Sequence, residues 1–268
     1  MTEENRRFLR RWIHKASGIV ISNQKDYLLD ARLAPILAER KLSSLNELCK
    51  LLRGSEDPNL CIDVTEAVTT HESYFFRDPA QFQALHNVIP ELLAARLPHR
   101  KLTFWSAAAS RGQEAYSLAI LLAGMPKAKW AFEILGTDLS SRAVKQAREA
   151  TYSERELSRG LQPDQIRKHF ERHGSGWRVV ASIRKLARFQ QLDLRHAMQG
   201  WAPFDVVFCR NVLIYFDIAT KRAILEGMAK ILSPDGLLFL GSTETIIGIT
   251  DCLQRRSIDG AVCYMPRA

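Results

Sequence analysis

The sequence predicts an α/β protein with a doubly wound, mostly parallel sheet, preceded by a small all-α domain. Three observations predict this fold. Residues 1 to about 70 show only helical patterns, whereas residues from about 100 onward alternate between strand-like and helical runs. Near the end, Asp259-Gly260 separates two short strand-like runs. Alternating strands and helices are typical of a mostly parallel sheet, and Asp-Gly between strands is typical of an antiparallel hairpin.

The composition predicts a soluble cytoplasmic protein. The chain has a formal net charge of +9 and a pI near 9.5, which favours an anionic partner such as nucleic acid, an anionic membrane or an acidic protein surface. No run approaches the roughly 18 apolar residues of a membrane helix, and no signal-peptide core follows the first residues. The five widely spaced cysteines include no C-x-x-C, which indicates a reducing compartment rather than a disulfide framework or zinc site.

Four helices are predicted within residues 1 to about 70. Gly18 is placed to end the first, and Ser44 with Glu47 matches a capping box that opens the third. The fourth is expected at about 59–69. Asp78-Pro79 predicts the N-cap and first position of a further helix that runs to about residue 88. The apolar stripes of the first two helices consist of Phe8, Leu9, Trp12, Ile13 and Ala16, and of Leu29, Leu33, Ile36 and Leu37.

Strands and helices alternate from about residue 100. The residues 233–236, Ser-Pro-Asp-Gly, are expected to form a turn into the fifth strand. The predicted strands are 102–106, 132–137, 187–192, 205–209 and 237–241, followed by tail strands near 253–257 and 261–265. The predicted helices between them are 114–123, 141–150 and 218–232.

One basic segment interrupts this alternation between Ser153 and Lys185. It contains Gly174-Ser-Gly176, which predicts a small hairpin inside an insertion. Residues 140–188 hold twelve Lys or Arg and five Asp or Glu, so most of the excess positive charge lies here. This pattern fits either a solvated surface or a docking face for an acidic partner.

The first strand of the sheet leads into a loop of small residues that opens a helix. Ala107 to Ala109 and Gly112 would let a ligand approach the backbone, at the turn where nucleotide-like ligands sit in doubly wound sheets. Tight strand–helix packing explains such residues equally well. Asp138 ends the second strand, where it can accept ribose hydroxyls or cap the following helix. Glu114, in a first helical turn, is either a dipole-stabilised acid or a ligand for a cationic group.

Two further segments carry polar groups beside apolar ones. Residues 69–77, TTHESYFFR, join the helical and α/β parts, and Arg77 can pair with neighbouring acids or hold a carboxylate in bidentate fashion. Residues 204–217, FDVVFCRNVLIYFD, begin as a buried strand and then present Arg210, Asn211 and Tyr215. Ligands bind at the carboxyl ends of strands in open α/β sheets, so this strand is predicted to lead into a site, with Cys209 in the core.

In combination these segments resemble the CheR-type chemotaxis receptor methyltransferases, which esterify glutamates of chemoreceptors with S-adenosyl-L-methionine. The resemblance spans nearly the whole chain, with the blocks in the family's order and spacing. It implies a class I methyltransferase sheet with an inserted β-subdomain. The implied domains are a helical domain at 1–75, a linker helix at 76–95 and a methyltransferase domain at 96–268, with the β-subdomain at about 168–185. The matching blocks are TTHESYFFRD (69–78), FWSAAASRGQEAYSLAI (104–120), GTD (136–138), FDVVFCRNVLIYFD (204–217) and PDGLLFLG (234–241).

The resemblance also implies site residues, carried over position by position. Arg77 and Tyr215 are the expected catalytic residues, which steer the acceptor carboxylate towards the methyl group. Arg172 is the expected receptor-facing residue. The expected contacts to S-adenosylmethionine, or to the product S-adenosylhomocysteine, are His71, Ser73, Arg77, Ala107, Glu114, Asp138, Asp193, Leu194, Arg210 and Asn211.

Departures from the family pattern sharpen these expectations. Ser73 replaces a common Thr and keeps the hydroxyl, whereas His71 stands where Asn is common. The Gly174-Ser-Gly176 loop is shorter than in members that capture a receptor's C-terminal peptide, so docking without such a tether is expected. The expected partners are therefore the cytoplasmic methylation helices of chemoreceptors, with no nucleic acid, membrane insertion or metal. The alternatives are a methyltransferase acting on RNA or another substrate, and a non-catalytic S-adenosylmethionine-binding adaptor.

Overall fold

The structure is a computed structural model that describes residues 1–54, 57–97, 99–125, 130–196, 198 and 200–267. The chain divides into two compact units. One consists of Met1–Thr70 with Tyr215–Thr220, and the other of His71–Ile214 with Lys221–Ala268. Across the residues described, no helix is both long and apolar enough to cross a membrane.

The N-terminal unit is built from helices α1 (Glu3–Ser17), α2 (Asp26–Glu39), α3 (Leu45–Gly54) and α4 (Pro58–Val68). Gly18 ends α1 in the left-handed conformation with φ 75°, and its N–H bonds to the carbonyl of residue 14. The four predicted helices and this C-cap are thus confirmed. Their apolar stripes meet in one core, which includes Leu9, Ile13, Leu29, Leu33, Leu48 and Val64.

The second unit contains a seven-stranded sheet with the order β6-β2-β1-β7-β8-β10-β9. The five strands from β6 to β8 are parallel, and β10 is antiparallel to both β8 and β9. This arrangement confirms the predicted doubly wound sheet and C-terminal hairpin. The strands are β1 (Lys101–Ser106), β2 (Ala131–Asp138), β6 (Ala187–Gln191), β7 (Phe204–Cys209), β8 (Leu232–Leu240), β9 (Leu253–Ile258) and β10 (Ala261–Pro266).

Helices α5 (Pro79–Ala95), α6 (Gln113–Ala123), α7 (Ser141–Glu149) and α11 (Ile218–Ile231) accompany this sheet. The first of them is longer than expected, since α5 continues to Ala95 instead of ending near residue 88. The core of the unit packs apolar side chains of α5 and α6 against those of the sheet, including Leu85, Leu118, Phe104, Ile134, Phe208 and Phe239.

The insertion after α7 forms a second sheet of three strands in the order β3-β5-β4. The predicted hairpin is confirmed as β4 (Phe170–His173) and β5 (Gly176–Val179), joined by the two residues Gly174 and Ser175. Strand β3 (Thr151–Tyr152) pairs with β5 and was not predicted. Three short helices complete the insertion: α8 (Glu154–Ser158), α9 (Pro163–His169) and α10 (Ala181–Arg184).

Residues 233–236 form a bulge and not the expected turn before a strand. Strand β8 already begins at Leu232, which pairs with Phe204, and Leu237 pairs with Val206. Four residues, 233–236, therefore stand opposite Asp205 alone, which is three more than a regular register allows. Asp205 and Asp235 share the guanidinium of Arg96 at 2.7 and 2.5 Å, which ties this bulge to the end of α5.

Candidate active site

The order of the strands brings several predicted residues to one edge of the sheet. Strand β1 lies between β2 and β7, and the direction of chain winding reverses between β1 and β7. Parallel strands end at the same edge, so the residues after β1, β2, β6 and β7 share the crevice in which α/β proteins bind ligands. Ala107, Asp138, Asp193 and Arg210 all follow or end these strands.

The loop between β1 and α6 is held by backbone bonds to both neighbouring strands. The N–H of Ala107 donates to the carbonyl of Phe208 at 2.7 Å, and that of Ala109 to the carbonyl of Thr137 at 2.8 Å. Ser110 and Gly112 have φ values of 51° and 92°. The buried Ser110 hydroxyl has no described hydrogen-bond partner, so this loop offers a ligand a polar group.

Asp138 does not cap the helix that follows β2. Ser140 is the N-cap of α7, and its hydroxyl accepts from the N–H of Ala143. The carboxylate of Asp138 instead accepts from the N–H of Ser110 at 2.8 Å and from that of Ser140 at 3.0 Å. Asp138 thus fixes the ligand loop relative to β2, and its half-buried carboxylate lies at the carboxyl end of that strand.

Glu114 is a largely buried acid in the first turn of α6. Its carboxylate is 13% exposed and accepts from the Ser106 hydroxyl at 2.7 Å. Burial raises the pKa of the Glu114 carboxyl above its ordinary value, and the guanidinium of Arg210, 3.5 Å away, lowers it. A carboxylate that burial has partly stripped of water is stabilised by a cationic ligand, which favours the cation-binding interpretation over that of a simple dipole contact.

Arg210 connects this acid to the segment before α5. Its side chain is 1% exposed, and Nη2 donates to the carbonyl of Arg77 and, at 2.9 Å, to the carboxylate of Asp78. Asp78 occupies the N-cap position of α5 with φ 58°, but its side chain makes no capping bond. Asp78 and Pro79 thus hold the predicted N-cap and first helical positions, but the buried guanidinium, and not the helix, binds the Asp78 carboxylate.

Residues 71–78 adopt a constrained conformation that presents Arg77 beside this cluster. Phe76 has φ 51°, and its N–H donates to the Ser117 hydroxyl at 2.9 Å. The guanidinium of Arg77 donates to the carbonyl of Glu72 at 2.8 Å, and within the described residues no ion pair engages it. The half-buried Arg77 therefore retains donors for an anionic group.

The insertion supports the same segment from outside. Arg159 pairs with the Glu72 carboxylate at 2.9 Å, and its guanidinium lies 4.4 Å from the centroid of the Tyr74 ring. Gly160 packs so closely that a Cβ atom there would lie 1.9 Å from the carbonyl oxygen of Phe75. The loop after α8 thus restrains the main chain that carries Arg77.

Glu244 is a site residue that sequence reasoning missed. Its Oε2 accepts from the N–H groups of Asn211 and Gly241, both at 2.7 Å, and its Oε1 accepts from the N–H of Ile214 at 3.2 Å. Asn211 itself is left-handed, with φ 57°. The signal in the sequence was Gly241 at the end of a strand, since such a glycine often marks close approach of another group. A Cβ at Gly241 would lie 2.7 Å from both the Glu244 carboxylate and the Asn211 amide.

The two predicted residues after β6, Asp193 and Leu194, differ in their surroundings. The Asp193 carboxylate pairs with the Arg195 guanidinium, with a shortest distance of 2.6 Å, and lies 3.4 Å from the His196 ring. Leu194 is buried and apolar, and the N–H of Leu192 donates to the Asp138 carbonyl at 2.9 Å. Leu194 thus offers a flat ligand an apolar surface, whereas Asp193 is held in an ion pair.

Other predicted residues are not joined to this cluster by described contacts. Tyr215 belongs to the N-terminal unit, where its carbonyl accepts from the N–H of Val20 at 2.8 Å. Arg172 is exposed on β4 and stacks 4.1 Å from the centroid of the Trp177 ring. His71 and Ser73 are half-buried and lie before Arg77 in the chain. Cys209 is buried, as predicted, and burial raises the pKa of its thiol.

Comparison with known proteins identifies what this site belongs to. The family model described as "CheR methyltransferase, SAM binding domain" matches residues 71–262, and "CheR methyltransferase, all-alpha domain" matches residues 4–69. This chain belongs to the CheR methyltransferase family. The resemblance inferred from the sequence is confirmed, as are the class I methyltransferase fold and the all-α domain before it.

Relatives of CheR type match along almost the full chain. Chemotaxis protein methyltransferase Cher2 of Pseudomonas putida is 33% identical over 265 residues, which cover 96% of each chain. Chemotaxis protein methyltransferase 1 of Pseudomonas aeruginosa is 36% identical over 262 residues, which cover 95% of each. Among solved structures, glycopeptide N-methyltransferase MtfA complexed with S-adenosylmethionine is 16% identical, with a TM-score of 0.36, and the match covers 58% of this chain and 50% of MtfA.

The cofactor of this CheR-family chain is S-adenosyl-L-methionine, as predicted. The chemistry of the crevice fits it. The buried Glu114 carboxylate suits a cationic amino group, and the Asp138 carboxylate suits a pair of hydroxyls. The Ser110 hydroxyl, which has no described partner, lies in a loop where Ser110 and Gly112 are left-handed. Gly112 serves packing instead, because a Cβ there would lie 3.0–3.2 Å from side-chain atoms of Ala147, Tyr152 and Tyr116. Ala107 is small and buried at the end of β1.

Proposed function

We propose that this chain transfers a methyl group from S-adenosylmethionine to glutamate side chains of chemoreceptors and so forms methyl esters. Membership of the CheR methyltransferase family over both of its domains carries the proposal. The names of the full-length relatives, chemotaxis protein methyltransferases, supply the pathway. The partner is then the cytoplasmic methylation helices of a chemoreceptor, and the chain acts in the cytoplasm.

The acceptor needs no general base. A glutamate carboxylate is ionised at pH 7, because its unperturbed pKa is about 4.3. S-adenosylmethionine, when bound, supplies an electrophilic methyl group on a sulfonium. The protein then has two tasks, which are to orient the carboxylate and to exclude water from it. No side chain acts as a nucleophile in the proposed chemistry. This agrees with the raised pKa of the Cys209 thiol, which keeps that thiol protonated.

The proposed cofactor contacts follow the chemistry of each side chain. Glu114 would bind the amino group of the methionine portion, and Asp138 the ribose hydroxyls. Leu194 would line the adenine, with Asp193 positioning that turn through its pair with Arg195. Arg210 would act mainly by holding Asp78 and facing Glu114.

The remaining proposed contacts flank this set. His71 and Ser73 would bind from the segment before Arg77, and Ala107 and Asn211 from the ends of β1 and β7. Each of these positions rests on the family resemblance.

Arg77 and Tyr215 are the proposed catalytic residues. Arg77 has guanidinium donors that are not used by the Glu72 carbonyl, and guanidinium binds carboxylates well. Arg77 would therefore hold the acceptor carboxylate in line with the methyl–sulfur bond. Tyr215 would contribute its hydroxyl to the same carboxylate. Neither residue forms a covalent intermediate in this scheme.

Docking is proposed to occur without capture of a receptor C-terminal peptide. The turn between β4 and β5 has only two residues, and Arg172 on β4 is stacked on Trp177. The insertion would instead offer Arg172 and its basic surface to the acidic receptor.

Transfer of labelled methyl groups tests the proposal. The chain would be incubated with radiolabelled S-adenosylmethionine and either a purified cytoplasmic chemoreceptor fragment or total RNA. We expect label in the protein fraction that mild base releases, as carboxyl methyl esters do. Label in RNA, with no base-labile protein label, would instead support the RNA methyltransferase that the +9 charge also allows. Cofactor binding without transfer to either substrate would support the adaptor alternative.

Arg77→Ala separates binding from catalysis within this proposal. We expect turnover to fall by at least about 100-fold, because the acceptor loses its orienting group. Affinity for S-adenosylhomocysteine, measured by calorimetry, should change much less, since the ribose-side contacts remain. Wild-type turnover by Arg77→Ala would refute the catalytic assignment.

A further inference from the structure

The connection between β8 and β9 lacks the helix that such a connection usually contains. Strands β8 and β9 are parallel to each other, because β10 lies between them and is antiparallel to both. Parallel strands of one sheet are usually joined through an α-helix that covers a sheet face. Residues 241–252, all of which are described, form turns and no helix. At the β10–β9 end of the sheet, one face therefore lacks the connecting helix that would usually cover it.

The pairing of side chains identifies that face. Arg256 of β9 pairs with Glu91 of α5 at 2.7 Å, so α5 covers the face to which Arg256 points. Successive side chains in a strand point to opposite faces. Arg255 and its cross-strand partner Tyr264 consequently point to the other face, where the helix is missing.

A groove of about 770 Å³ occupies this place. It starts beside the candidate active site, at Asp78, Gly241 and Glu244, and runs across β10 to β9. The distance from β8 to β9 is two strand spacings, or about 10 Å. An α-helix with its side chains has a diameter of about 10–12 Å. The width of the groove therefore suits one helix.

The lining combines apolar side chains with cations. Ile246, Leu253 and Tyr264 are buried around the groove, whereas Ile247 at its rim is 81% exposed. Ile247 extends the apolar lining of the groove to its rim. The apolar face of an amphipathic helix could bury both the apolar lining and the Ile247 side chain.

The free charges of the groove favour an acidic occupant. Arg255 and Arg267 are exposed, and in the described part of the chain neither forms an ion pair. The Asp78 carboxylate is paired with Arg210, whereas Glu244 keeps its negative charge at the active-site end of the groove, where backbone N–H groups bind it. The balance at the β9 end is therefore set by Asp251 and the two arginines. Asp251 is an exposed acid of the lining, and the two arginines outweigh it.

We propose that this groove docks an acidic amphipathic helix of the methyl-accepting protein and thereby completes the missing helical layer. The inference rests on the proposed function, which makes that protein a helical chemoreceptor. Because the groove begins where β8 ends, a helix seated in it would bring a neighbouring glutamate to the sheet edge that holds Arg210. A second copy of this chain fits less well, since it would bring a net charge of +9 to a cationic rim.

Charge reversal at the rim tests the docking surface. The variant Arg255→Glu with Arg267→Glu would be compared with Arg100→Glu plus Lys230→Glu, which reverses two exposed cations near the amino ends of β1 and β8. With a purified cytoplasmic chemoreceptor fragment as substrate, we expect the groove variant to raise KM by about tenfold and to leave kcat at saturation unchanged. The control should keep the wild-type KM, and calorimetry should give all three proteins the same affinity for S-adenosylhomocysteine.

Direct binding of the same fragment separates this inference from the proposed function. The groove variant and Ile247→Ser, which removes an exposed apolar side chain, should both bind the fragment more weakly than wild type in fluorescence anisotropy. Wild-type binding and KM in both variants would overturn the docking site, even if the wild type methylates the fragment. Weakened binding by both variants together with a wild type that transfers no methyl group would support the groove and overturn the proposed function.

Discussion

Replacing Gly160 with alanine should disable the site from a loop that contacts no proposed cofactor residue. The added Cβ would lie 1.9 Å from the Phe75 carbonyl oxygen, whereas real Cβ contacts essentially never fall below 3.0 Å. The main chain at residues 75 and 160 must therefore separate by about 1.1 Å, and Arg77 is two residues beyond the contact. A misplacement of about 1 Å can reduce a rate by about 100-fold, and we expect a loss of that size in kcat/KM for the chemoreceptor fragment.

Gly174→Ala is the matched control for this prediction. Gly174 lies in the turn between β4 and β5 of the same insertion, with φ +57°, and an added Cβ would meet no atom within 4 Å. Both variants place alanine at a positive φ, but Gly160 at +111° lies outside the left-handed region that Gly174 occupies at +57°. The difference in melting temperature therefore reports the extra backbone strain at residue 160, and the activity of the folded variant reports the displaced segment. Circular dichroism melts would establish that both are folded.

A folded Gly160→Ala protein with kcat/KM within about threefold of Gly174→Ala would refute the reasoning. If the melts show that Gly160→Ala is unfolded, Arg159→Ala tests the same support without a steric clash. It removes the ion pair to Glu72 and the stacking on Tyr74, so kcat/KM should fall by about fivefold as the segment that carries Arg77 loosens. Unchanged kcat/KM in Arg159→Ala would count equally against the idea.

Two other substitutions test the electrostatics of the site. Glu114→Gln should weaken S-adenosylhomocysteine binding by about 10- to 100-fold, through loss of a charge-assisted hydrogen bond. Burial raises the folded-state pKa of Glu114, so the ionised form disfavours folding. The protonated Glu114 carboxyl therefore stabilises the fold below the unfolded-state pKa, and this stabilisation is lost as the pH rises through the folded-state pKa. Glu114→Gln should consequently raise the Tm of the cofactor-free protein at pH 7. In calorimetry, the affinity of the wild type for S-adenosylhomocysteine should fall on acidification, starting at a pH above the ordinary Glu range. A lower Tm with unchanged affinity would contradict this assignment. Glu244→Ala leaves three backbone N–H groups without their carboxylate, and should lower both the free energy of unfolding, by about 3 kcal/mol, and cofactor affinity. Glu226→Ala on α11 is its control, and equal urea midpoints for the two variants would contradict the prediction.

The sequence predicted those parts of the fold that local chemistry determines. Gly18 ends α1 because only a residue tolerant of positive φ fits there, and Asp259-Gly260 forms the hairpin turn with φ values of 49° and 84° for the same reason. The alternation of strands and helices gave the parallel sheet, and the ends of its strands located the crevice. These signals depend on neighbours within a few residues of one another.

The sequence did not predict contacts that the tertiary structure creates. Asp78 has the ideal pattern of an N-cap, but Arg210, 132 residues away, binds its carboxylate. Two of the three N–H groups bound by Glu244 lie 30 and 33 residues before it in the chain. Gly160 contacts the Phe75 carbonyl only because the insertion folds back on that segment. Long-range packing overrode or supplied each of these interactions, and among them only the Glu244 contact left a local signal, which is Gly241 at the end of β8.

Mapping the methylated atom tests the central claim most directly. A cytoplasmic chemoreceptor fragment would be incubated with this chain and S-adenosylmethionine bearing a deuterated methyl group, then digested and sequenced by mass spectrometry. The account predicts the heavy methyl group on glutamate side chains, lost on mild base treatment, and absent when those glutamates are replaced by alanine. Heavy methyl groups on lysine, arginine or a chain terminus, stable to base, would contradict it.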